Sequence, residues 1–458
     1  MLGFGRAAPV LIGLAVSAAC GSPTQSDGGS SSGQFAPSAD GGVIVLPDGG
    51  TARSKGRSCT GDSDADKKCG GKTNDDQAMG SQDCCEVTSV PGGSYNRFND
   101  PSFPAKVSPF ALDVFEVTAG RFRTWVDVTN GNLRGSAPPA GGGAHPKIKG
   151  SGWRTEWNKY LPSSRQEVDR MLGPEETNEP FMACQFGTNV DDSGSLTWWT
   201  EALDKKVKDR NKNKPNILAE NTKEALDRKP LNCVPWHVLF AFCVWDGGRL
   251  PTDGEFGFAS TGVNEQRDFP WGNVDAKDKA HIANRNDLSL VPTYEYGSKY
   301  ATARLYDRTL GANIFEDNYS FTYGGKTMAR TDNAAHIAPV GNKPLGNGKW
   351  GHADLAGGMF EWMLDEGPIV QGQCTDCANV NWPNGEDKDP QAFMDQPEFK
   401  NPGGIDWWKG GARAVRGSAW DNANGFANAQ TKAEIEYYTS YPVLRTYRAL
   451  GGRCARDL

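Results

Sequence analysis

The sequence lacks an excess of basic residues, an internal repeat and an apolar run near its start that is long enough to cross a bilayer. Its 49 Lys and Arg residues are outnumbered by 56 Asp and Glu residues, so the formal net charge is -7 at pH 7. Because nucleic-acid binding needs a basic face, no nucleic-acid partner is expected. The missing repeat excludes solenoid and propeller architectures. The apolar run at residues 7–16 is too short to span a membrane.

Glycine and proline, by contrast, are abundant. The 458 residues include 56 Gly, 28 Pro and 14 Trp. This composition predicts many turns and irregular loops around a packed core rather than a helical bundle. The length is sufficient for one large domain or two ordinary ones.

Residues 1–20 are typical of an export signal of the bacterial lipoprotein type. Arg6 supplies a positive charge, the apolar run follows, and small residues precede Cys20. The pattern predicts acylation of Cys20 and hence a membrane partner through a lipid anchor. Gly21 favours the outer membrane over the inner membrane. More broadly, the protein is expected in the periplasm or at the cell surface. Cleavage without acylation, which leaves a soluble secreted protein, is the alternative.

The region after the signal predicts a tether and then a linker. Residues 21–57 are rich in Gly, Ser, Asp and Pro and predict a flexible tether. Residues 58–85 contain four cysteines around an acidic stretch and predict a linker. Its alternating aspartates are similar to a calcium loop, but Lys67 stands at the sixth position where such a loop needs Gly, so a solvated loop between disulfides is favoured. The folded domain is predicted at residues 86–458.

Local patterns predict three helices and a strand. Thr118 is expected to cap a helix through Val126. Residues 235–245 predict a second, buried helix that ends at a Gly pair, and residues 256–259 belong to a third. Residues 107–117 alternate as a strand does.

Eight segments in order along the predicted domain carry the motifs of one enzyme family. They are VPGGSY at 90–95, F..D..EVT..RF at 110–122, NCVPW with AFC at 232–243, GGRLPT with EF at 247–256, FPWG at 269–272, DLAG with EW at 351–362, RGSAW at 416–420 and GGRCAR at 451–456. The sequence resembles the formylglycine-generating enzyme, or sulfatase-modifying factor, family. The resemblance implies a single α+β domain with a C-type-lectin-like fold and many loops. It also implies a disulfide between Cys243 and Cys454.

The two catalytic cysteines of the family fall on Asn422 and Ala427 in this sequence. In the family, two soft thiolates hold the Cu(I) that activates oxygen to oxidise a substrate cysteine. An amide and a methyl group cannot replace them, so no copper and no catalytic residue are expected. Trp420, Asp421 and Asn422 are candidate cleft residues, with a hydrated loop as the alternative.

The resemblance further implies a structural calcium site at Glu361, with Asn284 as a second position. Glu361 lies between two aromatic residues and is expected to be buried, so it needs a partner, which Arg249 or a cation can supply. Gly358 stands where the family has Asn and removes one side-chain oxygen. A buried salt bridge is the alternative to calcium.

Three other motifs have both a functional and a structural interpretation. His352 and Asp354 form an H-x-D pair that an iron site with a third ligand such as His336 would use, but a structural pair is favoured. Cys374 and Cys377 form a C-x-x-C motif without the second pair that zinc requires, which favours a local disulfide. Tryptophan pairs at 198–199 and 407–408 are expected in the core, with stacking on sugars or peptides as the alternative.

Two main functions follow from these patterns. The first is an exported, lipid-anchored protein that binds a peptide, protein or glycan at the cell envelope and does not form formylglycine. The alternative is a metal-dependent oxidoreductase that modifies proteins or peptides. A purely structural surface protein is a third hypothesis.

Overall fold

A computed structural model of the chain gives the fold described here. It describes residues 44–45, 51–52, 56–59, 69–70, 82–173, 196–210, 212, 218–219, 221–272, 319–323, 326–330, 337, 339–341, 346–366, 372–380, 412–417, 439–442 and 450–458. All of them fall in one structural unit, residues 42–458. Among these residues, no helix is both long and apolar enough to cross a membrane.

The described residues form short strands and short helices, which gives an α+β fold. The strands are β1 Ile44–Val45, β2 Thr51–Ala52, β3 Val87–Val90, β4 Gly93–Asn96, β5 Pro104–Val107, β6 Phe110–Asp113, β7 Tyr319–Tyr323, β8 Lys326–Arg330, β9 Phe360–Trp362, β10 Cys374–Thr375, β11 Ala412–Arg416, β12 Thr439–Pro442, β13 Leu450–Gly451 and β14 Ala455–Asp457. The α-helices are α1 Ala119–Val128, α2 Arg165–Leu172, α3 Glu201–Arg210, α4 Lys223–Asp227, α5 Trp236–Trp245 and α6 Asp253–Thr261. Short 3-10 helices lie at Arg57–Cys59, Arg97–Asn99, Arg134–Ser136, Thr155–Tyr160 and Val263–Glu265.

The strands pair into three small sheets and two hairpins. Their orders are β14-β6-β3, β10-β5-β4 and β12-β11-β9-β13, with hairpins β1-β2 and β7-β8. Strand β14 is antiparallel to β6, so the C-terminal strand of the chain pairs with one of the first strands of the domain. Strand β9 is the partner of both β11 and β13, and β13 runs parallel to it.

The three predicted helices are present, and local chemistry explains where they begin. The Thr118 side chain accepts a hydrogen bond from Arg121 N and caps α1. Helix α6 begins with a capping box in which Thr252 and Glu255 satisfy each other's backbone N–H groups. Helix α5 ends before Gly247, which adopts φ +87°, a conformation that favours glycine.

The main core is rich in aromatic residues packed on helix α5. Trp125, Trp157, Trp198 and Trp236 are all fully buried there. Trp157 and Trp236 meet edge to face at 5.3 Å between ring centroids, the arrangement that aromatic pairs prefer. Trp198 therefore has the predicted core role, whereas residues 407–408 lie outside the described residues.

The predicted strand at residues 107–117 is instead two strands, β5 and β6, that belong to different sheets. Strand β5 ends at Val107 and β6 begins at Phe110. Pro109 lies between them, and proline has no N–H to continue a ladder of hydrogen bonds. Alternation along the sequence cannot report this break, because apolar residues continue on both sides of it.

Disulfides join distant parts of the fold. The structure has the Cys243–Cys454 bond that the family resemblance implies, and it has the local bond favoured for the C-x-x-C motif. The described pairs are Cys59–Cys85, Cys69–Cys84, Cys243–Cys454 and Cys374–Cys377.

The segment at residues 58–85, predicted as a linker, is in part packed against the domain. The cysteines of its two disulfides are buried in a small core with Phe115 and Val340. The last residues of the predicted tether, Gly56 and Arg57, also lie in the described part of the chain, where a β-carbon at Gly56 would meet Asp246. Composition alone does not report this packing, because two disulfides bury their cysteines against the core.

A buried network of charges fixes the start of this segment. Ser58 N donates to Asp246 Oδ1 at 2.7 Å, and Arg121 Nε donates to Ser58 Oγ at 3.1 Å. Arg121 also pairs with Asp246 at 2.7 Å and with Asp113 at 2.9 Å. Arg456 pairs with the same two carboxylates. Burial would raise the pKa of Asp113, but the guanidinium groups of Arg456 and Arg121 hold it below its ordinary value.

Candidate functional site

The family's catalytic segment follows directly after strand β11. This strand ends at Arg416, and Gly417 then adopts φ +73°, a conformation that favours glycine. Trp420, Asp421, Asn422 and Ala427 lie outside the described residues. The structure therefore describes only the region where this segment begins, and we call that region the base of the site.

Three buried charged side chains form this base. The Arg416 guanidinium pairs with Asp253, the first residue of helix α6. Asp365 Oδ2 accepts a hydrogen bond from Asp253 N at 2.7 Å. Asp365 Oδ1 accepts another from Asn379 N at 2.8 Å. The base thus ties together β11, the start of α6 and the chain after β9.

Electrostatics favour a proton on Asp365. Burial, together with the negative charge of Asp253, raises the pKa of Asp365 well above its ordinary value, and Arg416 only partly opposes this. A buried carboxyl with a raised pKa is often a catalytic acid. Here the carboxyl is fully buried and both of its oxygens are bound by backbone N–H groups. It supports the site and does not reach a substrate.

Glu361, the predicted calcium ligand, is paired with Arg453. The two guanidinium nitrogens Nε and Nη2 donate to its two carboxylate oxygens at 2.7 Å each. Arg249, the partner considered from the sequence, pairs instead with Glu255 at 2.6 Å and with Asp457 at 2.8 Å. A bidentate pair occupies both oxygens of Glu361. The geometry at Glu361 is therefore that of the salt-bridge alternative.

A second buried glutamate lies beside this pair. Glu116 Oε1 accepts from Met359 N at 2.7 Å, while Oε2 has no hydrogen-bond partner among the described residues. A β-carbon at Gly358 would lie 2.6 Å from both Glu116 oxygens, so Glu116 fills the space that a side chain at 358 would need. Burial and the negative charges of Glu361 and Asp354 hold the pKa of Glu116 well above its ordinary value.

Calcium at Glu361 stays a prediction. Among all the described residues, the group of three His, Cys, Asp or Glu side chains close enough to share an ion is Cys59, Asp83 and Cys85, which does not include Glu361. The two cysteines of that group are joined in a disulfide and carry no thiolate. Asn284 lies outside the described residues.

The H-x-D pair has structural surroundings. Asp354 Oδ2 accepts from Gly341 N at 2.5 Å. His352 is fully buried, and burial with the nearby Arg453 charge lowers its pKa to about 3. His336 lies outside the described residues. No described histidine belongs to a group of potential metal ligands.

These observations and the order of the motifs agree with the comparison to known families. The chain matches the sulfatase-modifying factor enzyme 1-like domain over residues 74–458. The chain belongs to this family. The match begins before residue 86, the predicted start of the domain, and it includes residues 74–85 of the predicted linker.

Among its relatives are proteins whose names refer both to active and to inactive enzymes. The chain is 26% identical over 204 residues to inactive C-alpha-formylglycine-generating enzyme 2 of Bos taurus, a match that covers 43% of this chain and 55% of that protein. It is 36% identical over 70 residues to the formylglycine-generating enzyme of Bos taurus, covering 15% of this chain and 19% of that enzyme. The chain thus spans about half the length of the first relative and a fifth of the second.

A solved structure is similar over a longer range. The structure of PvdO from Pseudomonas aeruginosa is 13% identical in sequence, with a TM-score of 0.38, and the match covers 81% of this chain and 94% of that one.

The predicted cleft residues lie outside the described residues, so the position of the site stays a prediction. The buried ionisable residues Asp253, Asp365 and Glu116 were not predicted from the sequence. A signal for Glu116 is its place in the EVT motif, before a capped helix and among apolar residues. A buried charge needs a partner, but the sequence does not say which one.

Proposed function

We propose that this chain is an exported, lipid-anchored protein whose domain binds a peptide, protein or glycan at the cell envelope and does not form formylglycine. The proposed architecture is a single C-type-lectin-like α+β domain that follows an exported tether. The observation that carries the functional part is the pair Asn422 and Ala427 at the positions of the family's cysteines. Monovalent copper prefers soft sulfur ligands, and these two side chains offer none.

Two further observations support a non-catalytic role. Described cysteines near the base of the site are in disulfides rather than free, so they offer no substitute thiolate pair. One of the relatives of this chain is also named as an inactive enzyme, which is compatible with the proposal. From the relative named as inactive, only the lack of formylglycine formation is carried over to this chain. The ligand is proposed only as a peptide, protein or glycan.

The test is an activity measurement on the mature protein. It is incubated with copper, a reductant, oxygen and a Cys-x-Pro-x-Arg peptide, and the aldehyde product is sought by mass spectrometry. We expect no product above the rate without protein. Clear turnover that a Cu(I)-selective chelator abolishes would overturn the proposal.

The matched variant restores the thiolates. Asn422→Cys together with Ala427→Cys is expected to bind Cu(I) where the wild type does not, since two thiolates suffice for the ion. A double variant that binds no more copper than the wild type would mean either that the loop geometry differs from that of the family or that these two positions are not the family's cysteine positions. Binding of the wild type to a peptide or glycan library then separates a binding protein from a purely structural one.

A further inference from the structure

One of the described disulfides differs from the others in its exposure. The cysteines of Cys59–Cys85, Cys69–Cys84 and Cys243–Cys454 are all buried, at most 3% exposed. Cys374 and Cys377 are only half-buried, and three neighbouring residues, Gly372, Gln373 and Thr375, are exposed. Exposed disulfides are the ones that exchange with thiols, whereas buried ones are inert. A thiolate from another molecule can therefore approach this bond.

The backbone around this disulfide is held without the help of the S–S bond. Strand β10 pairs with β5, Cys374 with Ala105 and Thr375 with Lys106. Asp376 N donates to Lys106 O at 2.8 Å. Ser108 donates to the Asp376 carboxylate through its N–H at 2.6 Å and its hydroxyl at 2.7 Å. These bonds fix the loop from Cys374 to Asp376, and Asn379 N, two residues after Cys377, donates to Asp365 at 2.8 Å, so the two cysteines are expected to stay close after reduction.

The disulfide lies next to the base of the candidate site. A β-carbon at Gly254, in the first turn of α6, would lie 3.4 Å from the carbonyl oxygen of Cys377. Two residues beyond Cys377, Asn379 N donates to Asp365, the buried carboxyl that contacts Asp253. A polypeptide bound at the end of β11 would therefore be near the disulfide.

We propose that Cys374–Cys377 is a thiol–disulfide exchange site whose substrates are cysteine pairs in reduced peptides or proteins. A C-x-x-C pair on an exposed, preformed loop is the arrangement that reversible exchange requires. The proposal does not depend on the proposed binding function, since a redox-active disulfide can be present whether or not the end of β11 binds a ligand.

The reaction consists of two balanced steps. A substrate thiolate attacks one of the two sulfurs, the Cys374–Cys377 bond breaks, and a mixed disulfide forms while the other cysteine leaves as a thiolate that takes up a proton. The second substrate thiolate then attacks the mixed disulfide. The substrate loses two electrons and becomes a disulfide, and Cys374 and Cys377 gain them and become thiols.

The test uses the mature, fully oxidised protein and a reduced synthetic peptide that contains two cysteines, mixed without oxygen. We expect up to one peptide disulfide per protein chain. Differential alkylation and mass spectrometry should place the new thiols at Cys374 and Cys377, with the other three described disulfides intact. A peptide that stays reduced, or thiols that arise at the buried disulfides instead, would overturn the proposal.

Cysteine variants identify the sulfur that is attacked. Cys374→Ser and Cys377→Ser each leave one thiol without a resolving partner in the loop, so with the disulfide-linked dimer of a single-cysteine peptide at least one of them should form a mixed disulfide and release one peptide thiol. The matched control is the double variant Cys374→Ser and Cys377→Ser, which should oxidise the peptide only at the background rate. Oxidation by the double variant at the wild-type rate would contradict the assignment. If the single variants fail to fold, the wild-type protein is treated with millimolar glutathione instead. Faster reduction of Cys374–Cys377 than of Cys243–Cys454 would support the proposal, and equal or slower reduction would overturn it.

Discussion

At the scale of single residues, Glu116 has surroundings that disfavour a charge. It is buried beside Glu361 and Asp354, and the cation that acts on it among the described residues, Arg453, is already paired with Glu361. Since its folded pKa is raised above the ordinary value of 4.5, the folded state holds a proton there that the unfolded chain loses. The contribution of Glu116 to stability is therefore lost as the pH rises from its ordinary pKa toward the raised one.

Glu116→Gln is predicted to remove this loss. The Gln oxygen can keep the hydrogen bond from Met359 N, and its amide can replace the oxygen that has no partner. We expect the variant to be more stable than the wild type by a larger margin at pH 8 than at pH 5, because a neutral amide avoids the charge that burial and the carboxylates of Glu361 and Asp354 disfavour. Thermal unfolding at both pH values measures this, with the exposed Glu201→Gln as the control. An advantage that is equal at both pH values, or larger at pH 5, would contradict the assignment.

The identity of ion-pair partners shows what sequence reasoning can and cannot predict at this scale. The burial of Glu361 and its need for a partner followed from the flanking aromatic residues. Arg249 was the wrong partner because it pairs with Glu255, only six residues away and within the capping box of α6. Arg453, the true partner, is 92 residues from Glu361 in the sequence. Which distant arginine meets a buried carboxylate depends on the pairing of β9 with β13, and no local pattern reports this.

At the scale of elements, the short helix Arg57–Cys59 depends on a close approach of the backbone at Gly56. A β-carbon at Gly56 would lie 2.8 Å from Cγ of Asp246. That carboxylate cannot move freely, because Ser58 N, Arg121 and Arg456 all bind it. The space is available only to glycine.

Gly56→Ala is therefore predicted to destabilise the protein by about 1–3 kcal/mol, the usual range for overpacking. The measurement is thermal unfolding under non-reducing conditions, so that both disulfides of the segment remain closed. Gly372→Ala is the matched control, since a β-carbon there meets no atom within 4 Å. If Gly56→Ala unfolds at the wild-type temperature, Gly56 does not pack against Asp246 in solution.

Elements with a local cause were predictable, and those with a distant cause were not. Helices α1 and α6 begin at Thr118 and Thr252, whose side chains accept hydrogen bonds from N–H groups three residues on, and capping residues are visible in any sequence. The packing of residues 58–85 against the domain was not predicted, because their polar, Asp-rich composition is typical of a linker. Disulfides and a distant carboxylate hold the segment in place.

At the scale of the whole molecule, the order of eight motifs was sufficient to identify the family, because each one fixes a turn, a cap or a buried charge of the same fold. Asn422 and Ala427 are equally visible in the sequence. What the sequence does not supply is the wall of the cleft, since residues 418–427 mix polar and apolar side chains without a periodic pattern. The class of the ligand and the lack of copper binding therefore both remain proposals.

The lipid anchor is the prediction that concerns the whole chain. The net charge is -7, and anionic lipid headgroups repel a protein of negative charge, so we expect membrane association to depend on acyl chains at Cys20. In a bacterial host fed radiolabelled palmitate, the wild type should take up label and stay with membranes through a high-salt wash, because salt weakens only electrostatic contacts. Cys20→Ser should lose the label and become soluble while it unfolds at the wild-type temperature. A wild-type protein that takes up no label and is free in the medium would show that Cys20 is not acylated.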